Sequence, residues 1–196
     1  MTLTVAQSAR QSQLTAFSTS FGATAQLTIH SGSAPTDADT ALSSNPIAVG
    51  LPYTVTTPFG APTAAKPSVM TAATITTTNV YGTATATFFR SWATGTGGYT
   101  GATFVVNSTY MIQALGTTTL ANWQTVGLNA SLTSSAVGQL FVATATTLAG
   151  SGTAYVMNCI EQGSVGTSGA SPDLTLNTTS LVAAGPLQIT SLTRSF

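Results

Sequence analysis

The amino-acid sequence predicts an all-β chain: a β-sandwich or jelly-roll-like body with a short N-terminal helix and an inserted small β subdomain. Three observations predict it. Apolar and polar residues alternate with a period of two in several short runs. Gly and Pro punctuate those runs, and a single segment carries helical spacing. The many short strands and scarce helical periodicity favour a sandwich or jelly roll over any α/β architecture. At 196 residues the chain can bury a core without metal or disulfide staples. Its 43% hydrophobic content and mean hydropathy of +0.32 separate it from a disordered Thr- and Ser-rich polymer.

Residues 5–21 place Ala6, Leu14, Phe17 and Phe21 at spacings compatible with one helical face, and Gly22 follows as a stop signal. Such a helix is either an arm that docks on a neighbour or a cover over one end of the β core. From residue 25 the period becomes two: Leu27 and Ile29 oppose Gln26, Thr28 and His30, and Gly32 closes the run. This pattern predicts a half-buried strand with His30 on its polar face. Residues 33–46 are rich in turn formers, and Asp37, Asp39 or Thr40 can cap a single helical turn before Pro46. Further strands are predicted at 47–55, 68–76, 82–92, 173–177 and 186–196, with Gly185 and Pro186 marking the last turn.

Composition shifts along the chain. Six of the eight prolines precede residue 70, and no charged residue lies between Arg90 and Glu161. The uncharged stretch has strand candidates of its own at 103–106, 110–115, 139–145 and 153–157, with glycines between them. These features divide the chain into a discontinuous β body, 1–98 plus 157–196, and an inserted β-rich subdomain, 99–156. Trp123 and Phe141 are the expected small core of the insertion.

Charge is the unusual quantity. Four Lys or Arg and four Asp or Glu make up 4% of the chain and leave no net charge, against about a quarter charged residues in ordinary soluble domains. Weak charge repulsion favours association, which suits a protein whose surface ends in contacts with copies of itself or other proteins. Arg10, Lys66, Arg90 and Arg194 are scattered singly, so the sequence carries no basic footprint for nucleic acid. The first residues lack the charged start and apolar stretch of a signal peptide, and no segment approaches the length of a membrane span. Cys159 is the single cysteine, in keeping with synthesis in a reducing compartment.

Ionisable chemistry is sparse. Hydroxyl catalysis of the Ser-His-Asp kind would depend on His30, the single histidine, and carboxylate pairs would have to come from Asp37, Asp39, Glu161 and Asp173. Asp37 and Asp39 with Asn45 fall short of the six to eight oxygens calcium takes. The glycine run at 95–98 lacks the Lys and the helix of a phosphate-binding loop. The expectation is a non-enzyme without cofactor or metal. Arg90 ends a strand beside Phe88, Phe89 and Trp92, where a guanidinium can stack on an aromatic ring and pair with a carboxylate. An intersubunit pair and an intrachain bridge are its two readings. Phe17, Phe21, Arg90 and Trp92 are the interface candidates.

Four segments resemble a family of small bacteriophage structural proteins: LTIHSGSAPTDADTAL at 27–42, GTATATFFR at 82–90, GSVGTSGASPDLTLNTTSL at 163–181 and GPLQITSLTRSF at 185–196. The shared pattern runs in order. A helix leads to a strand ending in Ser-Gly or Asp-Gly, followed by a Pro-containing loop, a Gly-Thr-Ala strand ending in aromatic-Arg, and a Gly-Ser-Val-Gly turn before Asp-Leu-x-Leu-Asn. The resemblance implies a virion protein made in the host cytoplasm, most naturally a head decoration or cement protein whose partners are the major capsid protein and copies of itself. Residues 108–156 are instead similar to a small β module of phage tail and fibre proteins, which leaves head and tail both open. The alternative is a receptor- or carbohydrate-binding component of a tail or fibre, for which exposed Tyr53, Tyr81, Tyr99 or Trp123 would be stacking platforms with Asn and Thr as hydrogen-bonding partners. No catalytic residue comes with either resemblance. The glycosylation patterns at Asn107 and Asn177 would stay bare on a protein made in a bacterium.

Overall fold

The computed structural model describes the chain apart from residues 1–4, 23, 24, 44, 45, 47, 53–58, 73, 74, 76–79, 101, 102, 170 and 196, with backbone alone for 48–52 and 95–100. Helix α1, Gln7–Ser20, buries Leu14 and leans Phe17 on Phe21 at 5.2 Å and on Phe59 at 5.9 Å between ring centroids. Its mid-helix hydroxyls are satisfied locally, since Thr15 and Thr19 donate back to the carbonyls of Gln11 and Thr15. Gly22, at φ 68°, ends the helix in the left-handed conformation that a side chain would oppose.

Eleven strands are described: β1 Gln26–His30, β2 Ala48–Pro52, β3 Val69–Thr71, β4 Ala84–Thr85, β5 Phe88–Thr100, β6 Thr109–Ala114, β7 Leu140–Val142, β8 Thr153–Thr167, β9 Leu174–Leu176, β10 Ser180–Leu181 and β11 Ile189–Ser195. Among the described residues nine of them form one mixed sheet, in the order β2-β1-β5-β8-β9-β11-β3, with β6 on β8 and β7 on β6. The remaining β4 and β10 pair with each other. All pairings are antiparallel except β8 with β9. A second helix, α2, spans Leu120–Thr125. No helix among the described residues is long and apolar enough to cross a membrane.

The spine is the pair β5 and β8, which runs from Phe88 opposite Ser164 to Thr100 opposite Thr153 with register shifts between Ser91 and Trp92 and between Thr94 and Gly98. Both strands continue through the expected subdomain boundaries, with the shift between Thr94 and Gly98 falling at that point. The Thr153 end of β8 carries β6, and its Thr167 end carries β9. Side chains alternate across the sheet, so Leu27, Ile29 and Phe89 point to one face while Thr28, His30, Phe88 and Arg90 point to the other. The first face joins Leu14, Phe21, Met70, Leu174 and Leu192 in one core, which brings β3, at one end of the strand order, together with β1, one strand in from the other. On the second face Leu42, Met111, Leu140, Val142 and Met157 cluster with Phe88 and Trp92. A third cluster draws all its members from 104–156, including Phe104, Tyr110, Trp123 and Phe141.

Several sequence expectations need correction. β1 is buried at all five positions rather than half-buried, because both of its faces are covered. Residues 103–106 are not a strand; Phe104 N–H bonds the carbonyl of Thr146, and the chain turns at Asn107 with φ 71°. The run 82–92 splits at residues 86 and 87 into β4 and β5. Asp37 organises a turn rather than a helical turn, its Oδ1 accepting from Thr40 N–H and Oγ1, both at 2.8 Å. The predicted strands 47–55 and 68–76 correspond to β2 and β3 where they are described; residues 47, 53–55, 73, 74 and 76 lie outside the described residues.

The Gly-Ser-Val-Gly segment continues β8 instead of turning. A Cβ at Gly163 would lie 2.7 Å from Phe89 Cε1 and 2.9 Å from Asp173 Cβ, so glycine is there for close packing. Gly163→Ala is expected to destabilise the body by about 1–3 kcal/mol through overpacking. A denaturant midpoint equal to that of the parent chain would refute this reading.

Candidate functional site

The second face of the sheet carries a buried polar node. Arg90 sits opposite Gln162 in the β5–β8 ladder, and its Nε donates to Gln162 Oε1 at 2.9 Å. Its Nη2 donates to the main-chain carbonyls of Asp37 at 3.0 Å and Thr40 at 2.7 Å. Gln162 Nε2 in turn donates to the carbonyl of Pro35 at 2.8 Å. Two side chains from the sheet thus hold one face of the loop at 35–40. The guanidinium also lies 5.7 Å from the Trp92 ring centroid. Burial lowers the Arg90 pKa from its ordinary value.

Beside it, Thr28 Oγ1 is the hub of a small network. Trp92 Nε1 donates to it at 2.8 Å, His30 Nε2 lies at 2.8 Å, and the Arg90 carbonyl is at 3.3 Å. An indole N–H can only donate, so one assignment closes the network. The assignment that uses all three contacts puts the His30 proton on Nε2, donating to Thr28, which donates to the Arg90 carbonyl. The His30 ring stacks on Phe88 at 4.7 Å, and its Nδ1 is buried without a hydrogen-bond partner among the described residues. Burial, with the Arg90 charge second, pushes the His30 pKa down to about 3. His30 is therefore a buried neutral ring, where its place on the polar face of an alternating strand suggests a solvated or interface side chain.

The other face carries an ion pair between Arg194 and Glu161. Ser91 Oγ donates to Glu161 at 2.8 Å, and the Arg194 guanidinium lies 5.3 Å from the Phe89 ring centroid. Asp173 Oδ2 accepts from Ser164 N–H and Oγ, both at 2.8 Å. Burial pushes its carboxyl up, but those bonds together with Arg194 outweigh it and leave the pKa below the usual value. Asp37 is lowered too, chiefly by the Thr40 hydroxyl. Cys159 donates to the Glu161 carbonyl at 3.2 Å, and burial raises its pKa to about 12, which keeps it a thiol and a poor nucleophile.

Between the Arg90-held loop and the start of β6 lies a cleft of about 420 Å³. Asp39 and Thr40 line one side, Asn107 to Thr109 the other, and Val156 to Cys159 of β8 the floor. Among the described residues no three His, Cys, Asp or Glu side chains gather where they could hold a metal ion.

The four interface candidates do not form a surface patch. Phe21, Arg90 and Trp92 are 1%, 1% and 3% exposed, and Phe17 is half-buried against the same core as Phe21. Arg90 stacks as expected but pairs with main-chain carbonyls in place of a carboxylate. Of the proposed stacking platforms, Trp123 is fully buried and Tyr81 half-buried, while Tyr53 and the Tyr99 side chain lie outside the described residues, as does Asn45. Sequence reasoning missed Thr28, Gln162 and the cleft residues Asn107, Ser108, Thr109 and Asn158; only the glycosylation-like pattern drew attention to 107–109.

Arg90→Lys is expected to cost about 2–3 kcal/mol, because an ammonium keeps the charge but cannot bridge Gln162 and two carbonyls at once. Faster amide exchange at 35–42 in the variant checks it. Unchanged exchange there would show that the loop holds itself. Comparison with protein-family models, with curated proteins and with solved structures yields no match to the chain.

Proposed function

We propose that the chain is a structural protein of a bacteriophage virion, made in the host cytoplasm and carried on the head as a decoration or cement protein. One observation carries this reading: the four segments that resemble the phage family meet around β8. Arg90 of the second segment grips Asp37 and Thr40 of the first. Ser164 and Asp173 of the third bond each other, and Arg194 of the fourth pairs with Glu161 beside them. Strand β9 of the third segment also ladders with β11 of the fourth. Pieces scattered over the sequence thus behave as one constructional unit.

In this reading 1–98 with 157–196 form a sandwich or jelly-roll-like body, and 99–156 is an inserted module that projects from the β5–β8 hairpin. The function is adhesive and non-enzymatic. A surface of Thr, Ser, Ala and Gly with few charges is cheap to desolvate against the major capsid protein or another copy. Burial at about 25 cal/mol per Å² of apolar area, less the cost of association, sets the gain per contact.

Quantitative mass spectrometry of purified particles tests the proposal. Copy numbers in the tens to hundreds per particle are expected for a head protein. A handful of copies, as for a fibre, or absence from the particle overturns it.

A further inference from the structure

We propose that the cleft between the 38–42 loop and 107–109 is a binding site for a neutral saccharide, an activity independent of the adhesive role. Its lining brings together five polar side chains, those of Asp39, Asn107, Ser108, Thr109 and Asn158. None of them makes a hydrogen bond within the described residues, whereas Asp37, Glu161 and Asp173 are all committed to partners. One carboxylate, two carboxamides and two hydroxyls converge from three segments far apart in sequence. Together they can accept from and donate to a set of sugar hydroxyls. Val156 supplies a little apolar surface, since Leu42 and Met157 are 4% exposed and belong to the buried second-face cluster.

Size and charge select the ligand class. A volume of about 420 Å³ lies in the range of small-molecule sites. It is far larger than a bare calcium ion needs, with its oxygens at about 2.3–2.6 Å. An anionic ligand finds no available cation, because Arg90 is 1% exposed and holds Gln162 and the loop carbonyls. Trp92, at 3% exposed, offers no open ring for stacking, so affinity rests on hydrogen bonds and belongs in the millimolar range. Asn107 adopts φ 71°, a left-handed backbone that Asn tolerates.

The test titrates the full chain with the methyl glycosides of glucose, galactose and mannose and with N-acetylglucosamine, following amide shifts by NMR. Saturable shifts confined to 38–42, 107–109 and 156–159 are expected with at least one sugar. Asp39→Asn, and Asn107→Gly, which keeps the left-handed backbone, should each weaken that binding about tenfold. Their unfolding midpoints should match the parent chain. No saturable shift with any of the four sugars overturns the proposal. So do shifts that map elsewhere, unchanged affinity in both variants, or saturation by calcium chloride in place of sugar. Particle copy number is measured separately and is untouched by either result.

Discussion

Trp123→Ala is expected to destabilise the cluster formed by 104–156 by about 3–5 kcal/mol, the usual cost of emptying a large buried aromatic site. Trp123 is fully buried and meets Phe141 edge-on at 5.7 Å between centroids. The hole cannot close easily. A Cβ at Gly152 would stand 2.5 Å from Trp123 Cζ2, so the chain just before β8 carries no side chain there to fill the space. The indole Nε1 is buried without a hydrogen-bond partner among the described residues, which offsets part of the ring's contribution. Trp123→Phe should therefore cost less than Trp123→Ala, since it keeps apolar volume and removes the orphan donor.

Hydrogen exchange read by mass spectrometry distinguishes two outcomes for Trp123→Ala. If 99–156 is a module, protection is lost at α2, β6 and β7 while β1, β9 and β11 keep theirs. Simultaneous loss everywhere would show that the continuous β5 and β8 couple both parts into one cooperative unit.

Elements whose signal is local were legible in the sequence. α1, β1, β6, β9 and β11 all fall where periodicity places them, since each needs only its own residues to show an apolar face. α2 has six residues, too few for a helical period, and its cap is Thr119 Oγ1 accepting from Asn122 N–H without the acidic partner of a capping box. Glycine misled at Gly163 and Gly166: a turn signal locally, it serves here to let Phe89 and Pro172 approach β8. The polar node was illegible for a different reason. Arg90 finds its acceptors 50 to 72 residues away, and two of them are main-chain carbonyls that no residue type announces. Burial of His30 is likewise made by partners that alternation does not announce, the Phe88 ring of β5 and the Thr28 hydroxyl. A two-residue alternation reports which side chains share a face, but it does not report whether a second layer covers the polar one.

Acid is expected to unfold this protein earlier than its sparse charges would suggest, and His30 is the cause. Its pKa is about 3 in the folded chain against 6.5 for the free side chain. Between those values the unfolded chain binds a proton that the folded chain refuses, so stability rises with pH. The contribution is complete above pH 6.5 and falls by about 1.4 kcal/mol for each pH unit below it. By pH 3 the loss approaches about 5 kcal/mol, comparable with the whole stability of a small domain. Protonation would fall on Nδ1, where no acceptor waits and Arg90 already brings positive charge. Asp37 and Asp173 have lowered pKa values, so their contributions also disappear on acidification, but only within the carboxylate range. His30 is the single histidine, which leaves the window from pH 6.5 to about 5 to it alone. His30→Phe keeps the stack on Phe88 and leaves Thr28 bonded to Trp92 and the Arg90 carbonyl, so it should flatten the stability profile across that window. Urea midpoints measured at several pH values for both proteins decide the matter, and parallel profiles would mean that His30 is not the acid-sensitive group.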